Sequence, residues 1–321
     1  MKAQLLATIV VVGALALFGA SVGTYPTYLI SLALINVVSA LGLNLLTGNS
    51  GQISLCHTSF MAIGAYGSTL MSTHFGLPFW LAVPAAAACS ALVGAALGYP
   101  ASRLSGLYLA LATLGFLQIV QLGIEELSDI TGGVSGLKVP GPVVVPGLPV
   151  SEYAMFLIIL AVCVAAIWMT GNLLRSQIGR ELNAVRQSPH AAAALGVSVA
   201  RVRLSAFAMA AAYAGVAGGL MANLVGFIDP IEFGISAALR HITFIVVGGM
   251  GSVAGSVIGA TVLSGLPELL RPVKEYGDVI YTVILLFFLL FMPRGLVVVW
   301  ARAMASLRRG RRAASPVAAQ E

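Results

Sequence analysis

Long apolar segments are the feature that most restricts the fold of this 321-residue chain. The chain is 59% hydrophobic and only 9% charged, whereas soluble domains carry about 25% charged residues. A helix needs about 20 apolar residues to cross the hydrocarbon core of a bilayer. We find ten candidate segments, at residues 4–22, 27–47, 53–74, 78–99, 106–124, 153–172, 203–225, 237–250, 252–267 and 277–293. The sequence therefore predicts an integral membrane protein with little room for a soluble domain.

The apolar runs indicate helices rather than membrane strands, because runs such as 279–292 do not alternate apolar and polar residues. We expect an all-α, polytopic membrane helical bundle of about ten transmembrane helices. Segments 237–250 and 252–267 are short and rich in glycine, so two tilted spans or one re-entrant hairpin remain open, and the latter gives eight crossings. Residues 1–307 form the predicted membrane domain, and residues 308–321 form a basic, disordered tail.

The distribution of charge predicts the orientation in the membrane. If the segment 175–203 is cytoplasmic, thirteen of the 17 basic residues lie on that side, together with only Glu181 and Glu321 of the 11 acidic residues. This positive-inside pattern places both termini in the cytoplasm. The first apolar run resembles a signal peptide, but its cleavage would reverse the sidedness, so we expect an uncleaved span. The basic tail follows the last span directly and favours anionic lipid over nucleic acid.

The segment 175–203 has the pattern of a docking element, with five arginines and one acidic residue between two apolar runs. Ser188 suits a helix N-cap and Pro189 suits the first helical position. Residues 190–195 favour helix, and Gly196 can close it in a left-handed conformation. A helix this short is unstable alone in water, so it needs a surface to pack against. We expect the membrane protein to present it to a soluble partner.

Small residues at spacings of four predict where helices approach each other closely. In lipid, helices associate through close packing of small side chains rather than through a hydrophobic driving force. The predicted contact positions are Gly251, Gly255 and Gly259 in one stripe, Ala211, Gly215 and Gly219 in a second, and Gly94 with Gly98 in a third. Contacts within the bundle are the main expectation, and a subunit contact or a moving interface is the alternative.

The chain carries no residue pattern for its own chemistry or power source. No acidic residue is central to a predicted span, which argues against a proton-coupled mechanism. The sequence contains no phosphate-binding G-x-x-x-x-G-K-[ST] motif and neither the His-Glu-x-x-His nor the Gly-x-Ser-x-Gly motif. Cys56, Cys89 and Cys163 lie far apart without metal-site spacing. We therefore expect no catalytic residue, no metal and no cofactor in this chain.

Uncharged polar side chains inside the predicted spans are the groups available to line a solute path. The candidates are Asn36, Asn44, Gln52, His57, Gln118, Gln121 and Asn223. Hydrogen bonds between helices are the alternative role for each of them. Gln118 and Gln121 share a helix face with Leu114 and Gly115, and this stretch is the best candidate for the path.

Six stretches of the sequence resemble permease subunits of the branched-chain amino acid ABC importers, and the M-type subunit more than its H-type companion. They are LTGNSGQISLCHTSFMAIGAYGSTLM at 46–71, RLSGLYLALATLGFLQIV at 103–120, TGGVSGL at 131–137, GRELNAVRQSPHAAAALGVSVARVRLSAFAMAAAYAGVAGGL at 179–220, VVGGMGSVAGSVIGA at 246–260 and FMPRGL at 291–296. Their order and spacing cover nearly the whole chain.

The resemblance implies a subunit of the bacterial inner membrane, which pairs with an H-type permease. Two cytoplasmic ABC ATPases, which bind ATP and Mg²⁺, would drive it, and a periplasmic binding protein would deliver the amino acid. The periplasmic loop 125–151 and the acidic loop at Asp229 and Glu232 would face that binding protein. The coupling loop 175–203 would contact the ATPases, with Arg186 near acidic groups of the partner.

The family's coupling pattern, E-A-A-x-x-x-G, falls on His190, Ala191, Ala192 and Gly196. Histidine replaces the acidic residue, whereas the small residues and the glycine are kept. This departure removes any ion pair that the acidic residue makes in other members.

Three other functions remain open from the residues. Permeases for urea, short amides or sugars use similar scaffolds, and the binding protein then determines the solute. A stand-alone secondary carrier or channel would transport in liposomes without an ATPase. A membrane enzyme or assembly scaffold would show no solute flux.

Overall fold

The computed structural model of the protein describes residues 23–270 except 142, 146 and 147. The predicted first span at 4–22, the predicted last span at 277–293 and the tail at 308–321 lie outside the described residues. The described helices are α1 Thr24–Leu43, α2 His57–Phe75, α3 Phe79–Ala101, α4 Leu107–Glu126, α5 Ser128–Thr131, α6 Glu152–Arg175, α7 Gln177–Gln187, α8 Pro189–Ala194, α9 Val199–Val225, α10 Ile235–Gly248 and α11 Val253–Leu269.

Irregular helix and short strands complete the described part. A π-helical turn at Asn44–Asn49 continues α1 directly, and 3₁₀ turns lie at Gly133–Ser135 and Pro230–Phe233. The strands, of two or three residues, are β1 Leu137–Lys138, β2 Val143–Val145, β3 Leu148–Pro149 and β4 Phe227–Ile228. Antiparallel pairs form between β1 and β4 and between β2 and β3. The prediction of a helical membrane bundle is therefore confirmed.

Five of the described helices are long and apolar enough to cross a membrane: Thr24–Asn49, Phe79–Ala101, Leu107–Glu126, Glu152–Arg175 and Val199–Val225. Each coincides with a span predicted from the sequence. The predicted span 53–74 forms the 19-residue α2, which is rich in serine, threonine and histidine. Most of α2 is buried inside the bundle, where its hydroxyl groups bond to helix carbonyls.

The last two described helices form a tight antiparallel hairpin. Gly248 of α10 faces Gly255 and Gly259 of α11, and a methyl group on Gly248 would lie 3.1 Å from the Cα atom of Gly259. The 14 residues of α10 and the 17 residues of α11 give lengths of about 21 Å and 25 Å. Both are shorter than the hydrocarbon core of about 30 Å.

Helix α9 lies at the centre of the described bundle, where it packs against α1, α2 and α3. A methyl group on Gly215 would lie 2.8 Å from the Cα atom of Ala87 in α3, and one on Gly64 of α2 would collide with Gly215. A methyl group on Gly94 would collide with Ala211. Backbones therefore touch where glycine removes the side chain, as in other membrane helix pairs.

The structure places the residues of the predicted stripes at close contacts between helices, except for Gly251. Gly219 faces Val83 and Ser68, and Gly98 faces Phe207. Gly251 does not lie on a helix, because α11 begins only at Val253. It occupies the turn of the hairpin with a φ of 82°, a value that glycine adopts readily.

The helix connections divide into two groups at opposite ends of the bundle. At one end, Nη1 of Arg203 donates to the carbonyl of Ser102 at 2.8 Å, which joins the start of α9 to the end of α3. At the other end, β1 pairs with β4, and the N–H of Val139 donates to the carbonyl of Gly226 at 3.0 Å. The start of α9 therefore lies beside the end of α3, and its other end lies beside the loop that follows α4.

Replacing Gly218 with alanine should destabilise the bundle, because the new methyl group would collide with the Met61 carbonyl oxygen. Overpacking of this kind costs about 1–3 kcal/mol. The matched control is Gly171→Ala in α6, where no described residue lies within 4 Å of the added methyl group and alanine improves helix propensity by up to about 1 kcal/mol. Thermal unfolding in detergent should show a lower Tm for G218A alone. Equal Tm values for both variants would contradict the packing described here.

Candidate functional site: the coupling segment and the polar residues of the bundle

The short helix α8 has the capping groups that its sequence predicts. The hydroxyl of Ser188 accepts from the N–H of Ala191 at 3.2 Å, and Gly196 has a φ of 84°. The N–H of Gly196 donates to the carbonyl of Ala193 at 2.9 Å, and the N–H of Val197 donates to the carbonyl of Ala192 at 3.0 Å. This pair of bonds is a Schellman motif, which satisfies the last helix carbonyls. The predicted start and end of this helix are therefore confirmed.

Helix α8 projects from the bundle with most of its surface uncovered by described residues. Ala192 is buried at 3% exposure, whereas His190 and Ala191 are exposed. Leu195, the residue that follows the helix, is 84% exposed. Ala193 and Ala194 are also exposed, so Leu195 belongs to a run of exposed apolar residues, and contiguous apolar surface is typical of a contact with another protein. We did not single out Leu195 from the sequence, although its position directly before the terminating glycine was a usable signal.

A second helix, α7, precedes α8, in a stretch to which we assigned no helix from the sequence. Leu182 and Val185 of α7 are buried, and α7 contacts α9 and the π-helical turn. The Nε2 group of Gln177 donates to Oε1 of Glu181 at 2.8 Å on the exposed face. The apolar spacing from Ile178 to Leu182 and Val185 is the helical signal that was available. The segment therefore attaches α8 to the bundle through a packed amphipathic helix.

Arg186 lies at the junction between α7, the π-helical turn and the hairpin turn. Its side chain is exposed, but a methyl group on Gly51 would lie 3.2 Å from its Cγ atom. A methyl group on Gly251 would lie 2.7 Å from its Nη1 atom. The guanidinium group therefore borders the hairpin turn at the end of the bundle that carries α8.

Asn44 and Gln52, two of the predicted path residues, are buried at the same end of the bundle. The Oδ1 atom of Asn44 accepts from the N–H of Gly251 at 2.8 Å, and its Nδ2 group donates to the carbonyl of Ser252 at 3.1 Å. The Nε2 group of Gln52 donates to the hydroxyl of Ser50 at 2.7 Å and to the carbonyl of Arg203 in α9 at 3.4 Å. Both side chains therefore join segments of the chain.

His57, a third predicted path residue, is half of a buried imidazole pair. Its Nε2 atom lies 3.0 Å from the carbonyl of Ser39, and its ring centroid lies 6.3 Å from that of His241. The Nδ1 atom of His241 lies 2.9 Å from the carbonyl of Ala237. Because a carbonyl only accepts, both of these nitrogens are the protonated ones. The other ring nitrogen of each histidine has no hydrogen-bond partner among the described residues.

Helix α4 leaves a broad face uncovered by the described residues. Gln118 is exposed on this face, Leu122 is exposed one turn further, and no residue of the described part lies within 4 Å of a methyl group on Gly115. Gln121 is partly buried, and its Nε2 group donates to Oε1 of Glu125 at 3.1 Å. Exposure of a polar side chain to lipid within a membrane-spanning helix costs free energy.

Asn223 lies at the opposite end of the bundle from Asn44. Its Nδ2 group donates to the carbonyl of Gly219 at 2.8 Å. It lines a cleft of about 430 Å³, together with Tyr28, Ser31 and Glu152. The predicted path residues other than Asn36 thus occupy separate places: Asn44, Gln52 and His57 inside the bundle, Gln118 and Gln121 on α4, and Asn223 at this cleft.

The acidic loop before α10 lies at the same end as β1 and β4. Oδ1 of Asp229 accepts from the N–H of Ile231 at 2.9 Å and starts the 3₁₀ turn. Partial burial raises the pKa of Glu232, the nearby Asp229 carboxylate raises it further, and Arg240 lowers it. The acidic side chains therefore cluster at the end of the bundle opposite α8.

The apolar bundle with a capped, projecting helix is that of a polytopic membrane protein. Comparison with known proteins supports this class. Residues 25–290 match the family model described as "Branched-chain amino acid transport system / permease component". No solved structure matches the chain significantly.

Three relatives illustrate the range of this similarity. The chain is 33% identical to the high-affinity branched-chain amino acid transport system permease protein LivM of Escherichia coli K12, over 83% of this chain and 68% of that protein. It is 27% identical to LivH of the same organism, over 80% of this chain and 89% of that protein. It is 29% identical to the autoinducer 2 import system permease protein LsrC of Yersinia pseudotuberculosis, over 60% and 55% of the two chains.

The chain therefore belongs to the family of permease components of branched-chain amino acid ABC transport systems. Members of this family are transport subunits of the bacterial inner membrane and not enzymes, and the permease chain carries no cofactor. The first sequence-based assignment, to an M-type permease of these importers, is confirmed.

A cysteine introduced at Ala193 should react with a membrane-impermeant maleimide only after the cytoplasmic face is opened, because α8 is exposed at the end predicted to be cytoplasmic. The matched control is Val134→Cys, since Val134 is 71% exposed at the opposite end. Both variants need a Cys89→Ala background, because Cys89 is exposed whereas Cys56 and Cys163 are buried. Labelling of the A193C variant in intact spheroplasts would reverse the predicted orientation.

Proposed function

We propose that this chain is the M-type permease subunit of an ATP-driven importer, and that it conducts branched-chain or related hydrophobic amino acids into the cytoplasm. Family membership supports the role of a permease, and the 33% identity to LivM supports the substrate class. The observation that carries the ATP-driven part is α8, a capped helix whose apolar tip at Leu195 projects from the bundle. An H-type permease, two ABC ATPases and a periplasmic binding protein complete the proposed assembly.

In the proposed mechanism, the ATPases move α8 when they close on ATP. Helix α8 continues through the turn at 195–198 into α9, and α7 connects it to α6. Both α6 and α9 would therefore tilt with α8, and the bundle would change between outward-facing and inward-facing states. Such a change is a two-state transition driven by a partner's cycle. The roles of Ser188, Pro189, Ala192 and Gly196 are to build and hold this helix.

The solute path in this proposal lies along the uncovered face of α4, between the two permease subunits. Gln118 supports this position, because burial of its amide against a second subunit or a polar path removes the cost of exposure to lipid. The absence of contacts near Gly115 among the described residues leaves space for close approach of a neighbouring helix.

The outer loops would receive the binding protein. The pairing of β1 with β4 brings the loop 125–151 next to the acidic loop at Asp229 and Glu232. The turn between α10 and α11 borders Arg186, so in this proposal it lies at the cytoplasmic end.

A second solute class follows from one comparison. LsrC, named for autoinducer 2 import, is 29% identical over 60% of this chain, so similar scaffolds serve chemically different solutes. Ligand screening of the binding protein that works with this permease distinguishes the two classes.

Replacing Leu195 with aspartate should abolish uptake, because the carboxylate would be buried without a partner in the proposed contact between α8 and an ATPase. Leu195 is 84% exposed, so the substitution leaves the permease fold intact. Leu195→Met is the matched control, since it keeps an apolar tip. Amino acid uptake and co-purification of the ATPases should both fall at least tenfold in L195D only. Full uptake by L195D would refute docking through this tip.

Replacing Gln118 with tryptophan should disturb the interface between the two permeases, because the larger ring would occupy the space beside Gly115. The matched control is Leu92→Trp on α3, where Leu92 is 71% exposed. We expect Q118W to lose uptake or co-purification of the H-type partner, and L92W to keep both. If the two variants behave alike, the proposal that the solute path lies along α4 is wrong.

A further inference from the structure

Three segments that are distant in the sequence meet at the turn of the α10–α11 hairpin. The π-helical turn Asn44–Asn49 lies on one side, and Arg186 at the end of α7 lies on the other. Asn44 and Gly251, which are 207 residues apart, are joined at 2.8 Å. We call this contact region, formed by Asn44, Gly48, Arg186 and Gly251, the turn clamp.

Asn44 makes both of its hydrogen bonds to the backbone of the hairpin turn. The N–H of Gly251 precedes the first helical residue of α11 and donates to Oδ1 of Asn44. The amide group of Asn44 in turn donates to the carbonyl of Ser252 at 3.1 Å. The Asn44 side chain therefore bonds to the N–H of Gly251 and to the carbonyl of Ser252. The turn cannot rotate without breaking one of these two hydrogen bonds.

The close fit of the turn clamp adds a steric constraint. A methyl group on Gly48 would collide with Oδ1 of Asn44, and one on Gly251 would lie 3.3 Å from the carbonyl of Gly48. The π-helical geometry of Asn44–Asn49 places one extra residue in this turn, and such insertions are common at functional positions. The hairpin turn therefore has little space to move independently of α1.

Arg186 connects the turn clamp to the coupling segment. Its guanidinium borders Gly251, its stem borders Gly51, and only Gln187 and Ser188 separate it from the first residue of α8. Arg186 therefore contacts the hairpin turn directly and lies next to α8 in the sequence.

We infer that Asn44 is a positioning residue that transmits movement of α7 and α8 to the α10–α11 hairpin. This inference rests on the proposed ATP-driven function and adds a second mechanical route to the tilt of α6 and α9. The hairpin would then act as the gate that the coupling segment opens and closes at the end of the bundle that carries α8.

The test compares Asn44→Ala with Ser264→Ala in the complete importer. Ser264→Ala is a matched control, because it removes another side-chain hydrogen bond between α1 and the hairpin, from Nδ2 of Asn36 to Oγ of Ser264 at 2.9 Å, outside the turn clamp. We expect N44A to lower uptake at least tenfold while ATP hydrolysis continues without stimulation by substrate, and S264A to keep coupled transport. Equal loss in both variants, or coupled transport by N44A, would overturn the inference.

A second measurement separates this inference from the proposed function. Met250 lies in the turn and is 47% exposed, so Met250→Cys in a Cys89→Ala background reports on the turn in the permease. We expect Asn44→Ala and Arg186→Ala each to raise the alkylation rate of the introduced thiol at least fivefold, and Ser264→Ala to leave it unchanged. An unchanged rate in the first two variants would overturn the inference. If the alkylation rate rises but the wild-type importer shows no ATP-dependent uptake, the contact described as the turn clamp is supported and the proposed function is rejected.

Discussion

Close contact between helix backbones around α9 determines how this bundle is built. Apolar side chains gain nothing by leaving lipid for one another, so association depends on dispersion contacts and on the approach that small residues permit. Gly215 and Gly218 remove the side chains that would separate α9 from α3 and α2. Helices α1, α2 and α3 are thereby arranged around one axis, and α7 and α8 are attached at its end.

Features that depend on neighbouring residues in the sequence could be predicted. The caps of α8 follow from Ser188 and Gly196, because a helix N-cap and a left-handed C-terminal glycine act within one turn. The small-residue stripes were also readable, since their spacing follows the helix period. Gly251 was wrongly assigned to a helix. It is four residues before Gly255 and so fits the spacing, but it lies in the turn, and spacing alone does not locate the first residue of α11.

Features that depend on distant partners could not be predicted. Asn44 bonds to residues more than 200 positions away, and nothing in its local sequence names them. The same limit applies to His57 and His241, whose proximity results from the packing of α2 against α10. For Gln118, the sequence predicted which helix face it lies on. That no other described helix covers this face could be seen only in the structure. Helix α7 was within reach, because Leu182 and Val185 follow the helix period.

The length of α9 has a mechanical consequence. Its 27 residues extend about 40 Å, from the Schellman-capped segment at one surface to β4 at the other. The strand pairing of β4 with β1 ties the far end of α9 to the loop that follows α4. In the importer proposed above, a loaded binding protein and the ATPases would therefore act on opposite ends of this one helix.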